Sequence, residues 1–166
     1  DLPGVMLAGA VRTYINRYAA LPGQRAIVMT NNDDAYRTGI ALHDAGARLT
    51  IVDLRAKPNS AVIRAAKDAG IEVLAGHAVI TAHGNHRVAR VEIAPIDHTA
   101  TAIAGDIIHR DCDLIAMSGG LSPAVHLHSQ ARGKVQWDYK KLCFKPSTTH
   151  EASFNAGAGN GTFDLA

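Results

Sequence analysis

The spacing of apolar and polar residues divides most of the chain into alternating helices and strands. Apolar residues recur at intervals of three and four through residues 5–18, which predicts an amphipathic helix there. They are Leu7, Val11, Tyr14, Ile15 and Tyr18. The pair Pro22-Gly23 ends this predicted helix.

The next segments follow the order of a parallel α/β sheet. The apolar run Arg25–Thr30 has strand length and no polar alternation, as expected of a central strand covered on both faces. A second apolar run, Leu49–Val52, predicts the next strand. A helical pattern of small residues runs from 35 to 46, and another helix is predicted over 60–69 before a third strand, 71–74. This order predicts right-handed βαβ units.

The pattern then changes to short alternating segments. These predict an antiparallel meander with strands at 79–81, at 88–93 and near 107–108. A further apolar strand, 113–117, ends at Ser118-Gly119-Gly120, and the polar stretch 129–145 predicts a short connection or an edge strand. The predicted fold class is therefore α/β, a Rossmann-like parallel sheet flanked by helices, with an antiparallel β-meander.

The turn after the first strand of the parallel sheet lacks the glycines of a dinucleotide loop. In such a fold this turn carries Gly-x-Gly-x-x-Gly, and the register here is Thr30-Asn31-Asn32-Asp33-Asp34-Ala35. Ala35 can replace the third glycine, but Thr30 and Asn32 place side chains where bare backbone is needed. Asp33 and Asp34 would also repel a pyrophosphate. The pattern favours a helix cap over a working nucleotide loop.

Asp53 ends the second predicted strand, where a carboxylate can bind an adenosine ribose. The alternative is a plain strand-end carboxylate, paired with Arg55 or Lys57. We favour the alternative because the preceding loop does not suit a nucleotide.

The composition of the chain argues against nucleic-acid binding and against a membrane span. Lys and Arg total 17 against 15 Asp and Glu, so the chain lacks the dense positive charge of a nucleic-acid binder. Apolar runs are far shorter than the roughly 20 residues of a membrane span, and no signal sequence is visible. Cys112 and Cys143 have no Cys-x-x-Cys spacing, so we expect buried thiols in a reducing cytoplasm.

Other candidate motifs carry weaker signals. The nine histidines, including His83, His86 and the His126-Leu127-His128 run, lack neighbouring ligands at metal spacing, so no metal site is predicted. The segment from Ser118 to Pro123 is either a structural turn or a contact with a cofactor or neighbouring domain, and no catalytic residue is assigned. Residues 154–162 are glycine-rich, so they form either a flexible tail or a bare backbone that approaches a phosphate or nicotinamide.

Together these pieces resemble a broad family of flavoproteins and, more specifically, one family of oxidase subunits. The chain resembles the second dinucleotide domain of disulfide-reductase-like flavoproteins in its order of strands and helices, in the segment 112–123 and in the terminal Ala156-Gly157-Ala158. Those flavoproteins have Ala-Gly-Asp in place of this terminal Ala-Gly-Ala. The chain also resembles the alpha subunit of heterotetrameric sarcosine oxidase, most clearly in the stretches 2–14, 30–37 and 118–127. This likeness covers essentially the whole chain. Leu121 departs from this family, which usually has tryptophan there.

The resemblance implies oxidative demethylation of sarcosine to glycine, with hydrogen peroxide formed and a one-carbon unit passed to tetrahydrofolate. It implies FAD and FMN on the beta subunit, and a tetrahydrofolate site in a part of the alpha subunit beyond this chain. It also implies NAD held mainly by a dinucleotide domain that precedes this chain. Four residues would cover that NAD: Gly157, Ala158, Phe163 and Leu165.

The same resemblance gives the expected organisation of a piece cut from a longer chain. Residues 1–22 would be a helix and linker from the preceding dinucleotide domain, 23–146 the second dinucleotide domain, and 147–166 the return to the first. Alone, this piece would be inactive. Two alternatives stay open: an alpha-type subunit of an opine, proline or glycine-oxidising dehydrogenase complex, and a free-standing nucleotide-binding module.

Overall fold

A parallel sheet of five strands lies at the centre of the structure, a computed structural model that describes residues 2–163. Its strands are β1 (Val5–Leu7), β2 (Arg25–Thr30), β3 (Arg48–Asp53), β4 (Glu72–Ala75) and β8 (Leu114–Ser118), in the spatial order β1-β8-β2-β3-β4. Every neighbouring pair is parallel. The carboxyl ends of β2, β3 and β8 therefore meet at one edge of the sheet, where α/β folds place their ligands.

Helices cover one face of this sheet and the antiparallel meander covers the other. The helices are α1 (Ala8–Tyr18), α2 (Asp34–Asp44) and α3 (Ala61–Asp68); the meander consists of β5 (His77–Gly84), β6 (Val88–Pro95) and β7 (Ile108–Asp111). Val28 and Ile51 pack on the helix side, whereas Ile27 and Val52 pack with Val91 and its meander neighbours. Apolar residues on both faces explain why these strands show no polar alternation.

The structure confirms the predicted fold class and corrects one helix. The helix predicted over residues 5–18 begins at Ala8, because Val5–Leu7 pair with Ile115–Met117 as strand β1. That partner lies far along the sequence, so periodicity could not reveal it. Tyr14 and Tyr18, expected on the buried face, are 46% and 62% exposed, whereas Val11 is buried and Ile15 packs against the core as predicted.

The chain divides into two compact units, Asp1–Gly120 and Leu121–Ala166, here called unit 1 and unit 2. Unit 2 contains α4 (His126–Gln130), the strands β9 (Val135–Asp138) and β10 (Cys143–Pro146), and a short 3₁₀ helix (Gly157–Asn160). The strands β9 and β10 pair as an antiparallel hairpin that extends one residue beyond the stretch 129–145, for which a connection or edge strand was predicted.

The sequence-based domain boundaries concern the origin of each segment in a longer protein, and they stay a prediction. The boundary expected at residues 22 and 23 falls within unit 1, and the one at 146 and 147 falls within unit 2. Among the helices of residues 2–163, none combines the length and the apolar composition that a bilayer crossing requires.

Candidate cofactor site

The turn after β2 is fastened to the end of β8 by two asparagine side chains. The Asn32 amide donates to the carbonyl oxygen of Ser118 at 3.1 Å and to its Oγ at 3.0 Å. The Asn31 amide donates to the carbonyl oxygen of Gly119 at 3.1 Å. These side chains bond to the same edge of the sheet at which a dinucleotide-binding loop presents bare backbone.

The Thr30 hydroxyl bonds to the backbone of the same turn. Its side chain is buried, and its hydroxyl accepts the Asn32 backbone N–H at 3.0 Å and donates to the Asn32 carbonyl at 3.0 Å. In a glycine-rich loop, free N–H groups bind phosphate. Here the Asn32 N–H already has a partner within the turn.

Asp53 is fully buried, and both of its carboxylate oxygens have partners. Arg55 donates to them through Nε at 3.1 Å and Nη2 at 2.8 Å, and the Tyr36 hydroxyl donates at 2.7 Å. Arg55 also reaches Asp33 through Nη1 at 2.7 Å. Of the two interpretations left open by the sequence, this geometry matches the strand-end carboxylate paired with Arg55.

The electrostatics of this four-residue network favour a charged Asp33–Arg55 pair and a neutral Tyr36 hydroxyl. Burial raises the pKa of Asp33, but the hydrogen bond and charge of Arg55 outweigh it, so the pKa lies below its usual value. The hydrogen bond to Asp53 raises the pKa of Arg55 above its usual value, although burial lowers it. Burial and the hydrogen bond to Asp53 both raise the pKa of the Tyr36 hydroxyl. Two carboxylates and one guanidinium therefore lie where a nucleotide would bring further negative charge.

The helix cap predicted for Asn32, Asp33 and Asp34 does not form through their side chains. Helix α2 begins at Asp34 with no side-chain cap bond, because arginines from other segments bind both aspartates. Arg12 of α1 holds Asp34 through two bonds, of 3.0 and 3.1 Å. The negative charge of Asp34 still lies in the first turn of the helix, where it stabilises the helix dipole.

The glycine-rich segment near the end of the chain forms a 3₁₀ turn rather than a helix start of normal length. Gly157 has φ +57°, and a Cβ added at Gly157 or Gly159 would meet no atom within 4 Å. Ala158 is exposed and Phe163 is 37% exposed. Bare, open backbone of this kind can accept the close approach of a dinucleotide. Leu165 lies outside the described residues.

The remaining candidate motifs are placed as follows. His126 and His128 lie on helix α4, not on a strand. Within residues 2–163 no group of three His, Cys, Asp or Glu side chains is arranged to bind a metal ion. The Ser118–Pro123 segment is an irregular turn that follows β8, and Ser118 bonds to Asn32 rather than to a histidine.

Both cysteines are buried and unpaired, as the sequence predicted. Burial, with Asp113 nearby, raises the pKa of Cys112 to about 11. At pH 8 roughly one Cys112 in a thousand would then be ionised, against about a quarter of free cysteines. We therefore expect iodoacetamide to label Cys112 at least 100-fold more slowly than free cysteine at pH 8, measured by mass spectrometry of its peptide. Labelling should reach the free rate in guanidinium chloride, and fast labelling of the folded protein would contradict the burial of this thiol.

Comparison with known proteins gives this geometry a context. No protein-family model matches the chain. Among curated proteins, sarcosine oxidase subunit alpha of Corynebacterium sp. (strain U-96) is 35% identical over 168 residues, and that of Rhizobium meliloti (strain 1021) is 31% identical over 167 residues. Both alignments cover 100% of this chain. This segment belongs to the sarcosine oxidase alpha-subunit family. It spans only 17% and 16% of the lengths of these two relatives.

Solved structures show that this sarcosine oxidase alpha-family segment has a thioredoxin-reductase-like fold. Thioredoxin reductase of T. acidophilum superposes with a TM-score of 0.64 at 14% identity, covering 96% of this chain and 53% of that one. Bacillithiol disulfide reductase of Staphylococcus aureus gives 0.61 at 13% identity, covering 91% and 43%. At these identities the likeness concerns the fold alone.

Sequence reasoning missed three groups that the structure brings to these turns. Tyr36 could be assigned to a helix, but its bond to Asp53 depends on how α2 packs on β3. The Arg12–Asp34 pair joins α1 to α2 across 22 positions. His128 is buried and bonds to Asn155, a contact that no local pattern indicates.

Proposed function

We propose that this chain is the second dinucleotide-fold domain of a sarcosine oxidase alpha subunit, and that the domain serves as scaffold without a nucleotide of its own. The observation that carries the proposal is the Asp33–Arg55–Asp53 network. In this network Arg55 occupies Asp53, the carboxylate that would otherwise bind a ribose, and Asp33 leaves negative charge beside the phosphate position. A nucleotide would have to break these part-buried bonds before its ribose could bind Asp53.

For the whole protein, the family resemblance supports oxidative demethylation of sarcosine to glycine, an oxidoreductase reaction that forms hydrogen peroxide and passes a one-carbon unit to tetrahydrofolate. We propose that the alpha subunit assembles into a cytoplasmic heterotetramer, with FAD and FMN on the beta subunit. The tetrahydrofolate site would lie elsewhere in the alpha subunit. This domain contributes no catalytic residue, and we expect no activity from it alone.

The alpha subunit would hold NAD mainly through the dinucleotide domain that precedes this chain, and residues 147–166 would return to that domain. The 3₁₀ turn fits this role, because Gly157 and Gly159 leave open space beside the backbone. We propose that Gly157, Ala158, Phe163 and Leu165 cover the NAD. When bound, NAD would supply the alpha subunit with a dinucleotide that this turn orders and shields from water.

The surface of unit 2 supports its place within a larger protein. Among the residues described there, Pro123 and Cys143 are the two buried apolar side chains, while nine large apolar side chains are exposed. These nine are Leu121, Leu127, Val135, Trp137, Tyr139, Leu142, Phe144, Phe154 and Phe163. A unit with so little core and so much exposed apolar area is typical of a surface that another part of the protein covers.

Calorimetry with NAD tests the scaffold role directly. We expect no heat of binding when NAD is titrated into this chain at concentrations up to about 1 mM, because the polar groups of the turn after β2 already bond to one another and to its neighbours. The full-length alpha subunit, stripped of bound nucleotide, serves as the positive control and should bind NAD. Micromolar affinity in this chain alone would overturn the proposal.

The substrate of the whole protein needs a separate measurement. The assembled complex should form hydrogen peroxide with sarcosine and not with proline or an opine. Turnover of proline or an opine instead of sarcosine would favour the dehydrogenase-complex alternative, and binding of NAD by this chain alone would favour the free-standing module.

A further inference from the structure

Two side chains of unit 2 hold the glycine-rich turn in place. We propose that His128 and Asn155 are positioning residues for NAD, a role that rests on the proposed function of the turn. Neither would touch the cofactor. Together they fix the start of the segment 155–161, whose bare backbone would receive it.

The contacts of His128 determine which ring nitrogen carries the proton. The side chain is 5% exposed, and Nε2 lies 2.8 Å from the carbonyl oxygen of Lys134. A carbonyl oxygen can only accept, so Nε2 donates. Nδ1 of the neutral ring is then an acceptor, and the Asn155 amide donates to it at 3.0 Å. The ring therefore joins the loop before β9 to Asn155, the first residue of the segment 155–161.

The other end of the turn is fixed by different residues. The Lys141 ammonium group donates to the carbonyl oxygen of Gly161, which is buried. A Cβ at Gly161 would lie 3.5 Å from Pro123 and 3.6 Å from Lys145, so that residue also packs closely. The segment is thus held at Asn155 and at Gly161.

Between these two ends the turn has little to hold it. Its backbone bonds are local, such as those from Gly161 N–H to Ala158 and from Thr162 N–H to Gly157. The intervening side chains at 157–159 are glycine or alanine, which cannot anchor the turn. If the bond to Asn155 were lost, the cofactor would have to order the turn on binding, and affinity would fall by that cost.

A matched pair of variants separates this role from a purely structural one. In His128→Gln, the side-chain amide nitrogen can replace Nε2 and keep the bond to Lys134, while the acceptor for Asn155 is lost. In His128→Asn, the side-chain oxygen can replace Nδ1 and keep the bond from Asn155, while the bond to Lys134 is lost. Asn155→Ala removes the other partner of the same bond.

The test measures NAD affinity and thermal midpoint of the full-length alpha subunit, assembled with its partners and stripped of NAD. We expect His128→Gln and Asn155→Ala each to weaken NAD binding roughly ten-fold, and the double variant to be no weaker than either one. His128→Asn should lower the thermal midpoint of the NAD-free protein but bind NAD as the wild type does. Nitrogen NMR shifts of His128 should show the proton on Nε2.

The NAD affinities of the wild type and the variants distinguish failure of the proposed cofactor role from failure of the His128–Asn155 role. If wild-type alpha subunit binds no NAD, both the proposed cofactor role of the turn and this inference fail. If the wild type binds NAD and His128→Gln or Asn155→Ala binds it equally well, this inference alone fails. Loss of NAD binding in both His128 variants, in proportion to their loss of thermal stability, would show a purely structural histidine and would also overturn it.

Discussion

Replacing Arg55 with alanine should lower the free energy of unfolding of this chain by about 2–4 kcal/mol. Asp53 is fully buried and would lose the guanidinium that pairs with it, and removing one partner of a buried pair typically costs about 3–5 kcal/mol. We expect the lower range because the Arg55 side chain is 35% exposed and partly screened by water. Urea denaturation followed by circular dichroism measures the change.

Two comparisons make this result specific. Arg64→Ala removes an exposed arginine bonded to Asn59, and it should cost about 0.5 kcal/mol or less. Neutralising both partners in Asp53→Asn/Arg55→Met should recover part of the loss, since no buried charge is then left unpaired. Trp137, the one tryptophan of the sequence, lies in unit 2 and reports that unit separately by fluorescence. An Arg55→Ala protein as stable as the wild type would show that the network contributes little to the fold.

Replacing Gly157 with valine should weaken NAD binding by the full-length alpha subunit about 100-fold, equivalent to about 2.8 kcal/mol. A β-branched residue is strained at φ +57°, and its side chain would fill the space through which the dinucleotide approaches the turn. The measurement is the dissociation constant of NAD by calorimetry.

Gly46→Val supplies the matched control for this substitution. Gly46 follows helix α2, has φ +88° and likewise has no atom within 4 Å of an added Cβ. Both positions have a positive φ that disfavours a β-branched residue, so both variants should lose stability. Only Gly157→Val should lose NAD. Equal NAD affinity in the two variants would remove the turn from the cofactor site.

Much of the fold could be predicted because its elements are encoded locally. The Arg25–Thr30 strand was predicted with the bounds that the structure shows, and the helix predicted from residue 35 differs by one residue at its start. Strand β1 was missed because its three residues owe their conformation to hydrogen bonds with β8. Three residues next to a helical pattern carry too little periodicity to be recognised as a strand.

The candidate site was only partly predictable for a related reason. The loss of loop glycines is visible at Thr30 and Asn32, because the register after a strand is a local property. The partners of those side chains are not, since Ser118 lies 86 positions from Asn32. The retention of NAD by the turn at Gly157 came from the family resemblance and stays a prediction.

The sequence by itself determined the order of most strands and helices, the α/β class and the absence of a glycine-rich loop after the strand Arg25–Thr30. Periodicity and residue type act over a few positions, so they can be read from the chain alone. Only the tertiary structure decided that Arg55 and Tyr36 bind Asp53, and that His128 holds Asn155. Those contacts depend on how distant segments pack, where burial removes competing water and makes each partner's position decisive.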